Sequence, residues 1–186
     1  MRIIAGKFKG ARLETPTGTA TRPTSDRTRE ALFNIIENSA YKTRLKNQPV
    51  ADIFAGTGSI GLEALSRGAS DAFFIENGAH ILPILQKNIE KCKMQAHSHI
   101  VRSSALKLPR AKKPCSLIFI DPPYGQNMIN ETLPLLQEKG WVNAETLVIT
   151  QGHPNDPVTP PTAFEIYESR KYGAALLFFM GLRAQS

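Results

Sequence analysis

From residue 50 onward, short continuous apolar runs alternate with stretches whose apolar positions recur at helical spacing. Runs near 50–55, 71–76, 99–102, 116–120 and 145–150 read as strands, and helices fall near 60–67, 79–93 and 127–138. That alternation predicts a doubly wound α/β fold with a mostly parallel sheet. Two last runs, Phe164 to Ser169 and Ala174 to Met180, have only Arg170 to Gly173 between them. Such a connector is too short for a crossover helix, so the pair is expected to close the sheet as an antiparallel hairpin. Ahead of residue 50, Ala31, Leu32, Ile35 and Ile36 repeat at helical spacing behind a cap at Ser25 or Asp26. Ala5-Gly6 and Gly10-Ala11 point to a small β-hairpin with Lys7 to Lys9 at its tip, and Pro16 to Thr24 to a turn-rich loop. Pro154 to Pro161 reads as a connection inside the fold. One domain is expected over 1–186, with an extension at 1–49 ahead of the α/β fold at 50–186.

Ligands of open α/β sheets bind beyond the carboxyl ends of the strands, so the residues following each run carry the chemistry. After Val50-Ala51-Asp52-Ile53-Phe54 comes Ala55-Gly56-Thr57-Gly58-Ser59-Ile60-Gly61, a strand, a glycine turn and a helix start. Gly56, Gly58 and Gly61 satisfy GxGxxG, which permits a tight turn, close approach of backbone to ligand and close helix packing. The second run ends in Glu76, 20 residues after Gly56, where an acid is placed to accept the ribose hydroxyls of a nucleoside cofactor. Leu117-Ile118-Phe119-Ile120 leads into Asp121-Pro122-Pro123-Tyr124. Alone, Asp-Pro-Pro is also a turn former. Beside a nucleoside site it suits a planar base bearing an exocyclic amine, whose lone pair is delocalised into the ring. The Asp121 carboxylate and the Pro122 carbonyl would take the amine hydrogens and favour a pyramidal, nucleophilic nitrogen. The prolines remove two N–H donors from a turn that must present acceptors, and Tyr124 offers a face for stacking.

On these residues the chain resembles the S-adenosylmethionine-dependent methyltransferases. More narrowly it resembles the bacterial small-subunit rRNA guanine-N2 methyltransferases of the 16S guanine-966, RsmD-like type. Arg2-Ile3-Ile4-Ala5-Gly6, Lys9-Gly10, Thr21 to Arg27, Arg29 to Asn34, Phe54 to Gly58, Gly61 to Ala69 and Asp121 to Tyr124 carry the likeness, which runs from Arg2 to about Met180. The resemblance implies a Rossmann-like sheet and S-adenosylmethionine as cofactor. It also implies direct in-line transfer to the N2 amine of a guanine in 16S ribosomal RNA. Phe54, Gly56, Thr57 and Gly58 would hold the methionine part, Asp52 would support the turn or the amino group, and Glu76 would take the ribose. Asp121, Pro122 and Tyr124 would be catalytic. Two positions depart from the family. Ser104 follows the third strand where many relatives carry an acid for the adenine amine, leaving that contact to a hydroxyl or backbone. Gln151 follows the fifth strand where an acid is expected.

Charge then bears on the partner. Residues 1–49 hold 10 Lys or Arg and 4 Asp or Glu, a net of +6, whereas 50–186 hold 13 and 12, a net of +1. Arg2, Lys7, Lys9, Arg12, Arg22, Arg27 and Arg29 are therefore expected to form a phosphate-facing surface with salt-sensitive affinity. The expected partner is 16S RNA within an assembled or partly assembled small subunit, bound by a monomer. No signal-peptide core or membrane-length run is seen, Cys92 and Cys115 are isolated thiols, and a cytoplasmic location follows. His97-x-His99 has no ligand cluster near it, so no metal is expected. Two rivals are an adenine-N6 DNA methyltransferase using the same Asp-Pro-Pro-Tyr chemistry and a non-catalytic RNA-binding assembly factor.

Overall fold

A computed structural model of the protein describes residues 1–16, 25–123, 127–152, 158–172 and 175–184. The elements follow in the order α1 (Asp26–Glu37), β1 (Pro49–Ile53), α2 (Ser59–Ser66), β2 (Asp71–Glu76), α3 (Leu82–Lys91), β3 (Ser98–Arg102), β4 (Leu117–Ile120), α4 (Met128–Glu138), β5 (Leu147–Gly152), β6 (Phe164–Tyr172) and β7 (Ala175–Leu182). The seven strands form one sheet in the order β3-β2-β1-β4-β5-β7-β6. Strands β1 to β5 are parallel where they pair, and β7 runs antiparallel to both β5 and β6. The doubly wound, Rossmann-like α/β fold with a terminal antiparallel pair is thus present.

Period-2 alternation divides the apolar side chains between two cores, one on each face of the sheet. Val50, Phe74, Leu117, Phe119 and Ile149 pack with Phe33 and Ile36 of α1, Leu62 and Leu65 of α2 and Leu85 and Ile89 of α3. Ala51, Ile53, Ile75, Ile118, Ile120 and Val148 pack with Ile129, Leu133 and Leu136 of α4 and with Trp141. Covering both faces explains why the parallel strands read as unbroken apolar runs. Trp141 is buried, its Nε1–H donating to the carbonyl of Pro109 at 2.9 Å, and Cys92 and Cys115 are buried free thiols. No helix among the described residues is long and apolar enough to cross a membrane.

Local chemistry moves several boundaries. β1 stops at Ile53, because Phe54 adopts φ 67° and already belongs to the turn. α3 begins at Leu82, since Pro83, which has no N–H to give, fits only the first helical turn. It ends where Lys93 takes φ 53° and the Met94 N–H closes onto the Ile89 carbonyl at 3.1 Å. β6 runs on through Arg170 to Tyr172, so most of the expected connector is itself strand. The two sides of the amino-terminal arm meet in a short antiparallel hairpin around one bridge, Arg2 with Arg12, with the Ile3 N–H donating to the Ala11 carbonyl at 2.9 Å, the Gly10 N–H to the Ile3 carbonyl at 2.9 Å and the Leu13 N–H to the Met1 carbonyl at 3.1 Å.

The arm is held by buried polar groups. Glu63, on α2, is fully buried and accepts from the backbone N–H groups of Ile4 (2.7 Å) and Ala5 (3.0 Å). The Ser66 hydroxyl donates to the Ala5 carbonyl at 2.6 Å, and the Lys7 N–H donates to the Ser66 carbonyl at 2.8 Å. At Gly6, with φ 80°, a Cβ would fall 1.9 Å from that same carbonyl, so glycine is required for the arm to lie this close. Ile3 and Leu13 complete the attachment by entering the first core.

Candidate active site at the carboxyl edge of the sheet

Register brings the expected residues to one edge. Ile53 is paired with Ile75 and with Ile120, and Ile120 with Thr150. The residues that follow these pairs, Phe54, Glu76, Asp121 and Gln151, therefore emerge side by side from four adjacent parallel strands. Asp121 and Gln151 share the wall of a narrow hollow with Leu32, Ile60, Phe119, Ile120, Ile149 and Leu177.

The glycine turn is built around Asp52. Helix α2 has Gly58 as its N-cap, at φ 81°, and so lacks a capping side chain. Asp52 replaces it from the strand below, its Oδ2 accepting the Gly61 N–H at 2.9 Å. Asp52 is only 2% exposed, and burial pushes its carboxyl up to about 8, with Asp121 and Glu76 adding repulsion and the Gly61 N–H partly offsetting both. Three carboxyl groups thus converge on one edge, and a cationic ligand there would draw the proton off Asp52 and gain its charge. Phe54, bulky and in the left-handed region, is a backbone outlier at the start of this turn.

The three glycines divide the work. A Cβ on Gly61 would lie 2.4 Å from Phe74 Cε1 and one on Gly58 2.5 Å from Leu85 Cδ1, so both serve the close packing of α2 on its neighbours. A Cβ on Gly56 would meet nothing nearer than the Phe54 carbonyl oxygen at 3.9 Å. Gly56 is the one left facing open space, with φ 54°, where backbone is free to approach a ligand. Thr57 is half-buried; its carbonyl accepts from Asn88 Nδ2 at 3.0 Å, and its hydroxyl lies 3.9 Å from the Met1 sulfur.

Glu76 accepts the Gly56 N–H at 2.8 Å, the Asn77 N–H at 2.9 Å and the Gly78 N–H at 2.7 Å. It therefore joins the ends of β1 and β2. A carboxylate has about four acceptor sites, so a ribose diol would share or displace one of these bonds. Ser104 caps the short 3-10 turn Ala105–Lys107 by accepting the Leu106 N–H at 3.1 Å. Its hydroxyl already has that local task. Asp121 is half-buried at the edge, Pro122 is buried and Pro123 exposed. Tyr124 and Arg22 lie outside the described residues.

The basic surface needs one correction. Arg29 does not face outward: it is 0% exposed, and its Nη2 donates to the Arg2 carbonyl at 2.6 Å and to Asp26 at 2.9 Å, with Glu63 3.8 Å from its Nε. Arg67, against Glu63 at 2.7 Å and paired with Glu37, completes a buried ionic cluster that ties α1, α2 and the arm together. Arg2, Lys7, Lys9, Arg12 and Arg27 remain exposed, with Arg2 3.9 Å from Asp26. Lys7 and Phe8 are bonded to Ser66 at the carboxyl end of α2, the end remote from the glycine turn, and Lys9 follows them in the arm's turn, while Met1 lies against Thr57. The structural roles of Glu63, Arg67 and Asn88 escaped the sequence. Charged or amide residues within otherwise apolar helical repeats were the available signal.

Comparison with known proteins gives the family. The family described as Conserved hypothetical protein 95 matches residues 1–181. The Ribosomal RNA small subunit methyltransferase D of Escherichia coli strain K12 is 33% identical over 175 residues, which cover 93% of this chain and 85% of that protein. Its namesake from Haemophilus influenzae is 31% identical over 177 residues, covering 93% and 89%. The solved structure of the Escherichia coli protein yhhF superposes with a TM-score of 0.84 at 33% identity, over 100% of this chain and 99% of that one.

Proposed function

Since the chain belongs to the Conserved hypothetical protein 95 family, and with it to the RsmD-like rRNA methyltransferases, we propose that it methylates the exocyclic N2 amine of a guanine in 16S ribosomal RNA. It is an S-adenosylmethionine-dependent methyltransferase acting on ribosomal RNA. Within this proposal it works in the cytoplasm as a monomer, on an assembled or partly assembled small subunit. The extension at 1–49 serves the RNA and 50–186 the catalysis.

The observation that carries the proposal is the convergence of Asp52, Glu76 and Asp121 at the edge where Gly56 leaves open space. These residues fit the cofactor: an open glycine backbone for the methionine part, acids for its ammonium and sulfonium charges, and Glu76 for its ribose. When bound, S-adenosylmethionine supplies a methyl group already activated on a sulfonium. The protein's share is to hold the acceptor nitrogen in line, an effect worth up to about 7 to 11 kcal/mol. Asp121 accepts one hydrogen of the amine and the Pro122 carbonyl the other, which turns the nitrogen lone pair away from the ring. The nitrogen gives up one of these hydrogens once methylated, and the Asp121 carboxylate is its first acceptor. Tyr124 stacks on the base, which must leave its helical stack and is reached most cheaply in a loop.

Arg2, Lys7, Lys9 and Arg12 on the arm and Arg27 on α1 take phosphates, as does Arg22, which lies outside the described residues. Because α2 has eight residues, at a rise of 1.5 Å each, the arm's tip contacts RNA about 12 Å from the glycine turn.

The test is transfer of labelled methyl from S-adenosylmethionine to unmodified small subunits, free ribosomal RNA and DNA, with nucleosides identified by mass spectrometry. N2-methylguanosine in ribosomal RNA, lost in Asp121→Ala while cofactor affinity holds within about threefold, is the expected result. Near-normal turnover by Asp121→Ala removes its amine-orienting role. Methyladenine in DNA assigns the same chemistry to the rival substrate, and cofactor binding without any product argues for a non-catalytic assembly factor.

A further inference from the structure

A base held by Asp121 alone would be recognised only by its amine, which guanine, adenine and cytosine all carry. The neighbouring strand supplies a second polar group. Ile120 of β4 is in register with Thr150 of β5, so Asp121 and Gln151 are successive groups on two strands about 4.8 Å apart, a spacing on the scale of adjacent groups along one base edge. Both line the same hollow, whose remaining walls are apolar. Its volume of about 10 Å³ admits no more than a water, so a base would have to lie across its mouth, over these two side chains. The Thr150 hydroxyl is fully buried behind them and contributes nothing at the mouth.

We infer that Gln151 selects guanine, its side-chain oxygen accepting from N1–H and its amide nitrogen donating to O6 while Asp121 holds the adjacent N2 amine. The inference rests on the proposal that a guanine N2 amine is the target, and it deepens that proposal by naming the base reader. A primary amide is the side chain that both accepts and donates in one plane, the pattern that N1–H and O6 demand. A carboxylate at 151 would satisfy N1–H but repel O6, and would add a fourth acid to an edge that already carries Asp52, Glu76 and Asp121. Adenine presented by its N6 amine offers an acceptor at N1 and only a C–H beyond it, so the two-point match is lost.

The experiment uses small subunits reconstituted with 16S RNA carrying either guanine or 2-aminopurine at the modified position. The analogue keeps the N2 amine and lacks both N1–H and O6. Wild-type protein should prefer guanine by at least tenfold in kcat/KM, because polar groups left unpaired at a desolvated site are costly. Gln151→Leu, which keeps the volume and removes the amide, should lower kcat/KM on guanine at least tenfold and leave the analogue within about twofold, collapsing the preference. Gln151→Glu, retaining one hydrogen bond, should fall between. Cofactor affinity and the thermal midpoint serve as controls for folding. Equal losses on both bases, or an unchanged preference in Gln151→Leu, would overturn the assignment. Failure of the wild-type protein to methylate any guanine would instead remove the proposal beneath it.

Discussion

Asp52→Asn offers a sharp physical test of the site, because it removes a buried proton while keeping an acceptor for the Gly61 N–H. With its carboxyl at about 8 in the folded chain, against about 3.9 when unfolded, Asp52 holds a proton in the native state that the unfolded state has released. Its contribution to stability is fully present below about pH 4 and is lost as pH rises toward 8. Each pH unit in that window costs about 1.4 kcal/mol, so between pH 5.5 and 7.0 the wild type should lose about 2 kcal/mol that the Asn variant does not. Urea unfolding followed by far-ultraviolet circular dichroism across that range, for both proteins, measures this as a converging or crossing pair of stability curves. Parallel curves would show that Asp52 is ionised throughout and that the acids at this edge do not couple as described. The same proton governs the ligand. A cation placed beside Asp52 binds its ionised form, so S-adenosylmethionine affinity should rise with pH up to about 8 in the wild type and stay flat in Asp52→Asn.

The arm yields two further expectations. Glu63→Ala leaves the Arg29 and Arg67 guanidinium groups buried with too little opposing charge and frees the Ile4 and Ala5 N–H groups, so a loss of about 3 to 5 kcal/mol is expected, with proteolysis of the arm preceding global unfolding. A loss under about 1 kcal/mol with an unchanged cleavage pattern would mean that the arm is held by Ile3, Leu13 and the Ser66 and Asn88 hydrogen bonds without Glu63. Charge reversal at Lys7 and Lys9, both exposed, should weaken RNA binding and shallow its salt dependence by roughly 0.7 to 0.9 for each phosphate no longer neutralised. An identical slope would leave those lysines as a solvated face.

The sheet was legible because its strands are buried on both sides: runs such as Leu117 to Ile120 have no polar face to disguise them. The placement of Glu76 and Asp121 at the carboxyl edge was legible for a related reason, since the residue ending a parallel strand projects beyond the sheet. Pairings between distant residues were not legible. Counting charge placed Arg29 on the phosphate-facing surface, yet its helix turns it inward onto Asp26, Glu63 and the Arg2 carbonyl. Nothing in local spacing distinguishes a guanidinium seeking phosphate from one seeking a buried carboxylate on a distant helix. Glu63 was hidden in the same way, lying in a helix whose eight residues are all buried, where amphipathic periodicity vanishes. The hairpin reading of the arm holds only in part: Ile3, Ala11, Gly10, Leu13 and Met1 bond across it, but a single bridge forms because Ile4, Ala5, Lys7 and Phe8 bond to α2 instead.

That attachment also bears on how the two halves of the chain work together. Asn88 is fully buried on α3; its Nδ2 donates to the Thr57 carbonyl at 3.0 Å and to the Glu14 carbonyl at 3.1 Å, and its Oδ1 accepts the Glu14 N–H at 2.7 Å. One amide therefore fastens the far side of the basic arm to the glycine turn, and Met1 rests against Thr57 from the near side. A displacement of the arm at Glu14 pulls directly on the backbone of the turn, because a buried amide cannot release one partner without leaving a polar group unpaired. The arm and the turn are consequently coupled through one buried side chain. In the proposed function, RNA bound along Lys7 to Arg12 would thereby be registered against the edge that carries Asp121.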